Sequence, residues 1–107
     1  MAREFRIECG KDFCLQKALK ALSRAKYHYI PTKRFREDEV WLSLLSNDVD
    51  ADVRIFPENY GFFIEISNFR KELCESLKKW VSELREFCSC TIFDNDTEEL
   101  VDMDCWI

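Results

Sequence analysis

Residues 4–9, Glu-Phe-Arg-Ile-Glu-Cys, alternate polar and apolar positions, so Phe5, Ile7 and Cys9 share one face while Arg6 and Glu8 take the other. That alternation predicts a half-buried strand. Beyond Gly10 the period lengthens. Apolar residues at 14, 15, 18, 19, 22 and 25 predict a helix over about 12–26, with Asp12 as a cap and Lys17, Lys20 and Arg24 on a basic outer face. Tyr27 to Asp38 contains Pro31 and no clear period, which predicts a loop of about a dozen residues.

The strand signals resume at 40–46, Val-Trp-Leu-Ser-Leu-Leu-Ser, and at Val53–Phe56; the polar run 47–52 between them predicts a hairpin. Residues 60–66 are aromatic and β-branched and predict a further strand. Asn68 is placed to cap a helix over about 69–88, where Phe69, Leu73, Leu77, Trp80, Val81, Leu84 and Phe87 recur at three- and four-residue spacing. Residues 90–93, a polar turn at 94–99 and the alternating Val101, Met103, Cys105 and Ile107 predict a closing hairpin.

The expected order is β-α-β-β-β-α-β-β. Two helices with one apolar stripe each and a sheet with one apolar face bury one another most simply as a two-layer α+β sandwich: a mainly antiparallel sheet with both helices on one face. The resemblance of Phe5–Cys9 to Phe62–Ile66, each running into a helix, raises a tandem β-α-β-β arrangement. Expected core anchors are Phe5, Ile7, Leu15, Leu19, Leu22, Leu42, Leu44, Val53, Ile55, Phe62, Ile64, Leu73, Leu77, Trp80, Leu84, Ile92, Val101 and Met103. The helix-free face is then expected to carry Trp41, Phe63 and Trp106, an aromatic patch that suggests a contact site.

Composition bounds the possibilities. The chain has 107 residues, 47% of them apolar and only two glycines and two prolines, which fits one domain and excludes disordered or low-complexity architecture. There is no run of 18 apolar residues, and the first twenty residues are interrupted by charges, so a soluble, cytoplasmic protein without a membrane span is expected. The net charge of −5 hides an asymmetry: residues 1–36 hold ten Lys/Arg against three Asp/Glu, and residues 37–107 hold six against eighteen. Such a field attracts cations or a basic partner and repels nucleic acid.

No catalytic set emerges. His28 is the one histidine and lies in the predicted loop, and Gly10 and Gly61 stand too far apart for a phosphate-binding loop. Asp48-x-Asp50-x-Asp52 opens like a calcium loop, but Val53 stands where the sixth position needs glycine and Asn59 where the twelfth needs glutamate. Six cysteines in a chain without an export signal point to reduced thiols, with Cys9, Cys14, Cys74 and Cys88 as core residues. Cys88-Ser-Cys90 and Cys9-x4-Cys14 lack the paired spacing of a zinc site, so no metal and no cofactor are expected. The stretch from 17 to 36 interleaves Lys/Arg with Tyr27, Tyr29 and Phe35 in the style of a single-strand nucleic-acid surface, yet the acidic remainder opposes phosphate binding.

A small, acidic, glycine-poor α+β chain with these acids and no catalytic set resembles the bacterial immunity proteins and antitoxins, such as those of contact-dependent growth inhibition. Phage-encoded inhibitors of host defence look similar. The resemblance implies inhibition without catalysis, by covering the cleft of a basic, nuclease-type toxin. The residues assigned to that contact are Asp48, Asp50, Asp52, Asp94, Asp96, Glu98, Glu99, Asp102 and Asp104, with Trp41, Phe63 and Trp106 as anchors. Two other readings stay open: a small-molecule module, because tandem β-α-β-β halves resemble the gyrase-inhibitor-like fold, and a nucleic-acid-binding protein using 17–36. A monomer or a homodimer, the latter through the final strand's edge, is compatible with each.

Overall fold

The computed structural model describes residues 2–25, 39–43 and 51–102 together with the backbone of 30–31. Nine elements follow in chain order: β1 (Arg3–Cys9), α1 (Leu15–Ala25), β2 (Ile30–Pro31), β3 (Val40–Ser43), β4 (Val53–Glu58), β5 (Gly61–Ile66), α2 (Lys71–Leu84), β6 (Cys90–Asp94) and β7 (Leu100–Val101). The strands form one antiparallel sheet in the order β2-β3-β4-β5-β1-β6-β7. This is the α+β sandwich that the pattern predicts.

Alternation decides which side of each strand is buried. Phe5, Ile7, Leu42, Val53, Ile55, Phe62, Ile64, Ile66 and Ile92 all point to the helix side and are at most 2% exposed. From the helices come Ala18, Ala21, Leu22, Ala25, Leu73, Leu77, Trp80, Val81 and Leu84. Trp80 is wholly buried; its ring meets Phe62 edge-on at 4.9 Å and its indole N–H donates to the Ala18 carbonyl at 3.0 Å. The alanines explain how α1 lies close enough for that bond. Leu15, Leu19 and Val101, expected as core anchors, are only partly buried at the margin of this cluster, while Leu44 and Met103 lie outside the described residues.

Several boundaries differ from expectation for identifiable reasons. α1 begins at Leu15 because a turn bonds the Phe13 N–H to the Gly10 carbonyl and takes up Asp12, leaving the Cys14 carbonyl to accept the first helical bond from Ala18. α2 begins after Arg70, so the N-cap position falls there and not on Asn68, whose side-chain amide donates to Asp52 at 2.9 Å. Within the expected loop, the backbone of Ile30 and Pro31 pairs with β3. β2 is an edge strand, the position where a proline's missing N–H costs no ladder bond. The strands flanking α2 enclose only β1, whereas β1 and β2, which flank α1, enclose β3, β4 and β5; the two halves of the chain therefore occupy unlike places in the sheet.

Gly61 marks the tightest approach. A Cβ there would sit 1.9 Å from the Ile7 carbonyl oxygen, across the central β5–β1 pairing, whereas a Cβ at Gly10 meets nothing closer than 3.6 Å. Gly61→Ala is expected to lower stability by more than about 2 kcal/mol and Gly10→Ala to change it by less than about 0.5 kcal/mol, as measured by urea denaturation. Equal, small effects would contradict the close approach.

Candidate partner-binding face

Because every core residue points to the helix side, the opposite face of the sheet collects the alternate residues of each strand. The register aligns one row across five strands: Phe56 opposite Phe63, Phe63 opposite Arg6, Arg6 opposite Phe93, and Phe93 opposite Leu100. Phe56, Phe63 and Phe93 are partly exposed and Leu100 is 65% exposed. The Phe56 and Phe63 rings lie 5.8 Å apart, and the Arg6 guanidinium stands 6.0 Å from the Phe63 ring.

Carboxylates flank this row on both sides. One flank carries Glu58 and Glu8; the other carries Glu65 directly opposite Glu4, a like-charge pair that would be unfavourable if left alone. Arg54 pairs with Glu65, and the Asn95 side-chain amide donates to Glu4 at 3.2 Å. Arg6 donates to Glu58 at 2.9 Å. Trp41, opposite Arg54, receives that guanidinium on its ring at 4.6 Å. With four carboxylates and two guanidinium groups among its described residues, the face is net acidic. Two shallow clefts border Arg6 and Glu8: one of about 760 Å³ that also takes in Glu58 and Tyr60, and one of about 220 Å³ that also takes in Phe93 and Glu98.

The expected contact residues divide. Trp41 and Phe63 lie on this face, and Asp96, Glu98, Glu99 and Asp102 are exposed on the adjoining β6–β7 turn and its exit. Asp48, Asp50, Asp104 and Trp106 lie outside the described residues. Asp52 is not a surface residue. It is 1% exposed, accepts from Asn68 at 2.9 Å and from Arg70 at 3.0 Å, and ties the start of β4 to the entry of α2. Asp94 is also structural: its carboxylate accepts from Arg3 at 2.9 Å and from the backbone N–H groups of Asp96 and Thr97, so it organises the turn that presents its exposed neighbours. Within that turn Glu98 holds a left-handed backbone, φ 60°, and its N–H donates to the Asp94 carbonyl at 2.8 Å. Phe56, Phe93 and Leu100 escaped the sequence reading, although each is the outward alternate of a residue that faces the helices in its strand.

The basic residues of α1 sit on the other side of the molecule. Lys17 and Lys20 are exposed on the outer surface of the helix layer, and Arg24 donates to Glu83 of α2 at 3.0 Å. Lys26, Lys33, Arg34 and Arg36, with Tyr27, Tyr29 and Phe35, the rest of the basic stretch, lie outside the described residues.

Three thiols form a separate feature on the helix side of the sheet. Cys9 and Cys90 are cross-strand partners with sulfurs 3.4 Å apart, and the Cys88 sulfur lies 3.6 Å from that of Cys90. The neighbouring Cys9 thiol lowers Cys90 to about 7, helped by Cys88 and Arg85 and opposed by burial, while burial pushes Cys88 up to about 11. Cys9 is raised, chiefly by its hydrogen bond with Cys90 and then by burial. Cys74 and Cys88 are buried as expected, whereas Cys9 and Cys14 are only partly so. No family model, curated protein or solved structure matches the chain.

The Arg3 guanidinium foremost, then the Thr97 and Asp96 N–H groups, holds the Asp94 carboxyl below its ordinary value of 3.8. A lowered folded-state pKa contributes stability above the ordinary carboxylate range and loses it as pH falls through the folded value. Asp94→Asn should therefore be less stable than the natural chain at neutral pH, with the gap closing between roughly pH 5 and pH 2 in urea titrations. A gap independent of pH would contradict this role.

Proposed function

We propose that the chain is a non-catalytic binding protein of the immunity or inhibitor type, acting in the cytoplasm. Its partner is a basic, nuclease-type toxin or effector whose active cleft it covers. The observation that carries the reading is the open sheet face: aromatic and aliphatic side chains in one cross-strand row, flanked by carboxylates, with no described element packed over them. Aromatic anchors supply most of the binding energy in such contacts, and the acidic surround favours association with a positively charged cleft. The smaller cleft beside Arg6 brings Glu8 and Glu98 together, which suits a lysine or arginine side chain of the partner, whereas in the larger one Lys11 and Arg6 balance Glu8 and Glu58.

Lys17 and Lys20 support a second reading, in which the helix layer binds single-stranded nucleic acid. The two readings use opposite sides of the molecule, so variants separate them. The tagged chain is captured from nuclease-treated lysate of its source organism, the bound species identified, and its affinity for purified variants measured. A basic protein is expected. Phe63→Ala should weaken it by about 30-fold or more, the loss of one central anchor worth at least about 2 kcal/mol. The double reversal Asp96→Lys with Glu98→Lys should slow association and flatten its salt dependence, whereas Lys17→Glu with Lys20→Glu should leave both unchanged. Binding that vanishes with nuclease or with the lysine variants, and survives Phe63→Ala, would overturn the proposal.

A further inference from the structure

The β1–β6 ladder gives the three thiols a geometry that their spacing in the chain does not reveal. The Gly10 N–H donates to the Ser89 carbonyl and the Asn95 N–H to the Glu4 carbonyl, so the ladder bonds fall on the pairs alternating with Cys9–Cys90. Cys9 and Cys90 therefore form one of the narrow pairs, in which opposed side chains approach most closely. The chain leaving α2 then turns back through Cys88, whose N–H donates to the Leu84 carbonyl at 3.0 Å, and delivers a third sulfur to the same point.

All three sulfurs lie within 4.8 Å of one another, with neighbouring separations of 3.4 and 3.6 Å. A tetrahedral centre with metal–sulfur bonds of about 2.3 Å requires sulfur–sulfur edges of about 3.8 Å. Small side-chain rotations reach that arrangement. The ligands come from the end of one strand, the start of its neighbour and the connection before it, all fixed by backbone hydrogen bonds. Cys88 is 7% exposed, whereas Cys9 and Cys90 are partly open, which leaves an ion a way in.

We propose that Cys9, Cys88 and Cys90 form a three-thiolate binding site for one thiophilic d10 metal ion, zinc(II) or copper(I). Three soft ligands and no imidazole suit both ions: zinc would complete its coordination with a water or an external ligand, and copper(I) would accept the three sulfurs alone. The site lies on the helix side of the sheet, away from the open face, and does not depend on the proposed partner. Cys14 and Cys74 are not part of the cluster.

The test uses the full chain, reduced and anaerobic, loaded separately with Zn²⁺ alone and with Cu⁺ alone in the presence of a competing chelator, then desalted and assayed for metal. One equivalent of at least one ion is expected to remain. Cys9→Ser and Cys90→Ser should each weaken retention by about 100-fold or more, while Cys14→Ser should not alter it. Circular dichroism establishes that each variant is folded. Thiolate-to-metal charge-transfer absorption of the cobalt(II)-loaded natural chain reports sulfur ligation without any substitution. Failure to retain either ion, or retention unaffected in folded Cys9→Ser and Cys90→Ser, would overturn the site. So would formation of a Cys9–Cys90 disulfide in air by a reduced chain that binds neither metal.

Discussion

The wholly buried Trp80 ring is the contact on which the rest of the sandwich depends. It belongs to α2, packs edge-on against Phe62 at the centre of the sheet, and donates its indole N–H to the Ala18 carbonyl of α1. One side chain thus joins both helices to the same face of the sheet. Its polar group is satisfied, so burying the large ring brings the full apolar gain without a desolvation penalty. The small residues Ala18, Ala21 and Ala25 leave the room that this closeness needs, and all three are fully buried.

With both helices committed to one side, strand alternation leaves the other side of the sheet to a different chemistry. The exposed ion pairs there, such as Arg6 with Glu58, contribute little to stability because both partners are largely solvated. Their position matters more. They place two guanidinium groups against two of the four flanking carboxylates, Glu58 and Glu65, beside an aromatic row whose register the backbone ladder sets. Such an arrangement costs a monomer exposed apolar surface and becomes favourable when a partner covers it.

The fold was legible because period and alternation are local properties. The strand at 4–9, the two amphipathic helices and the hairpins follow from which residues recur on one face, and the same logic assigned Trp41 and Phe63 to the helix-free side. What stayed hidden depends on partners distant in sequence. Asp52 looks like one more acid in a polar turn until Asn68 and Arg70 enclose it. Asp94 looks exposed until Arg3, brought alongside by the β1–β6 pairing, takes its carboxylate. The thiol cluster is hidden in the same way, since Cys9 lies 81 residues from Cys90. Asn68, expected as a cap, stands two residues before the N-cap position and binds Asp52 instead.

In the proposed function the open sheet face, and not the basic helix layer, meets the partner. The most direct measurement places a photo-crosslinking phenylalanine analogue at Thr91, exposed on that face, or at Lys20, exposed on α1, and irradiates living source cells. One discrete protein adduct is expected from position 91 and none from position 20. Adducts from position 20 alone, to protein or to nucleic acid, would contradict that expectation.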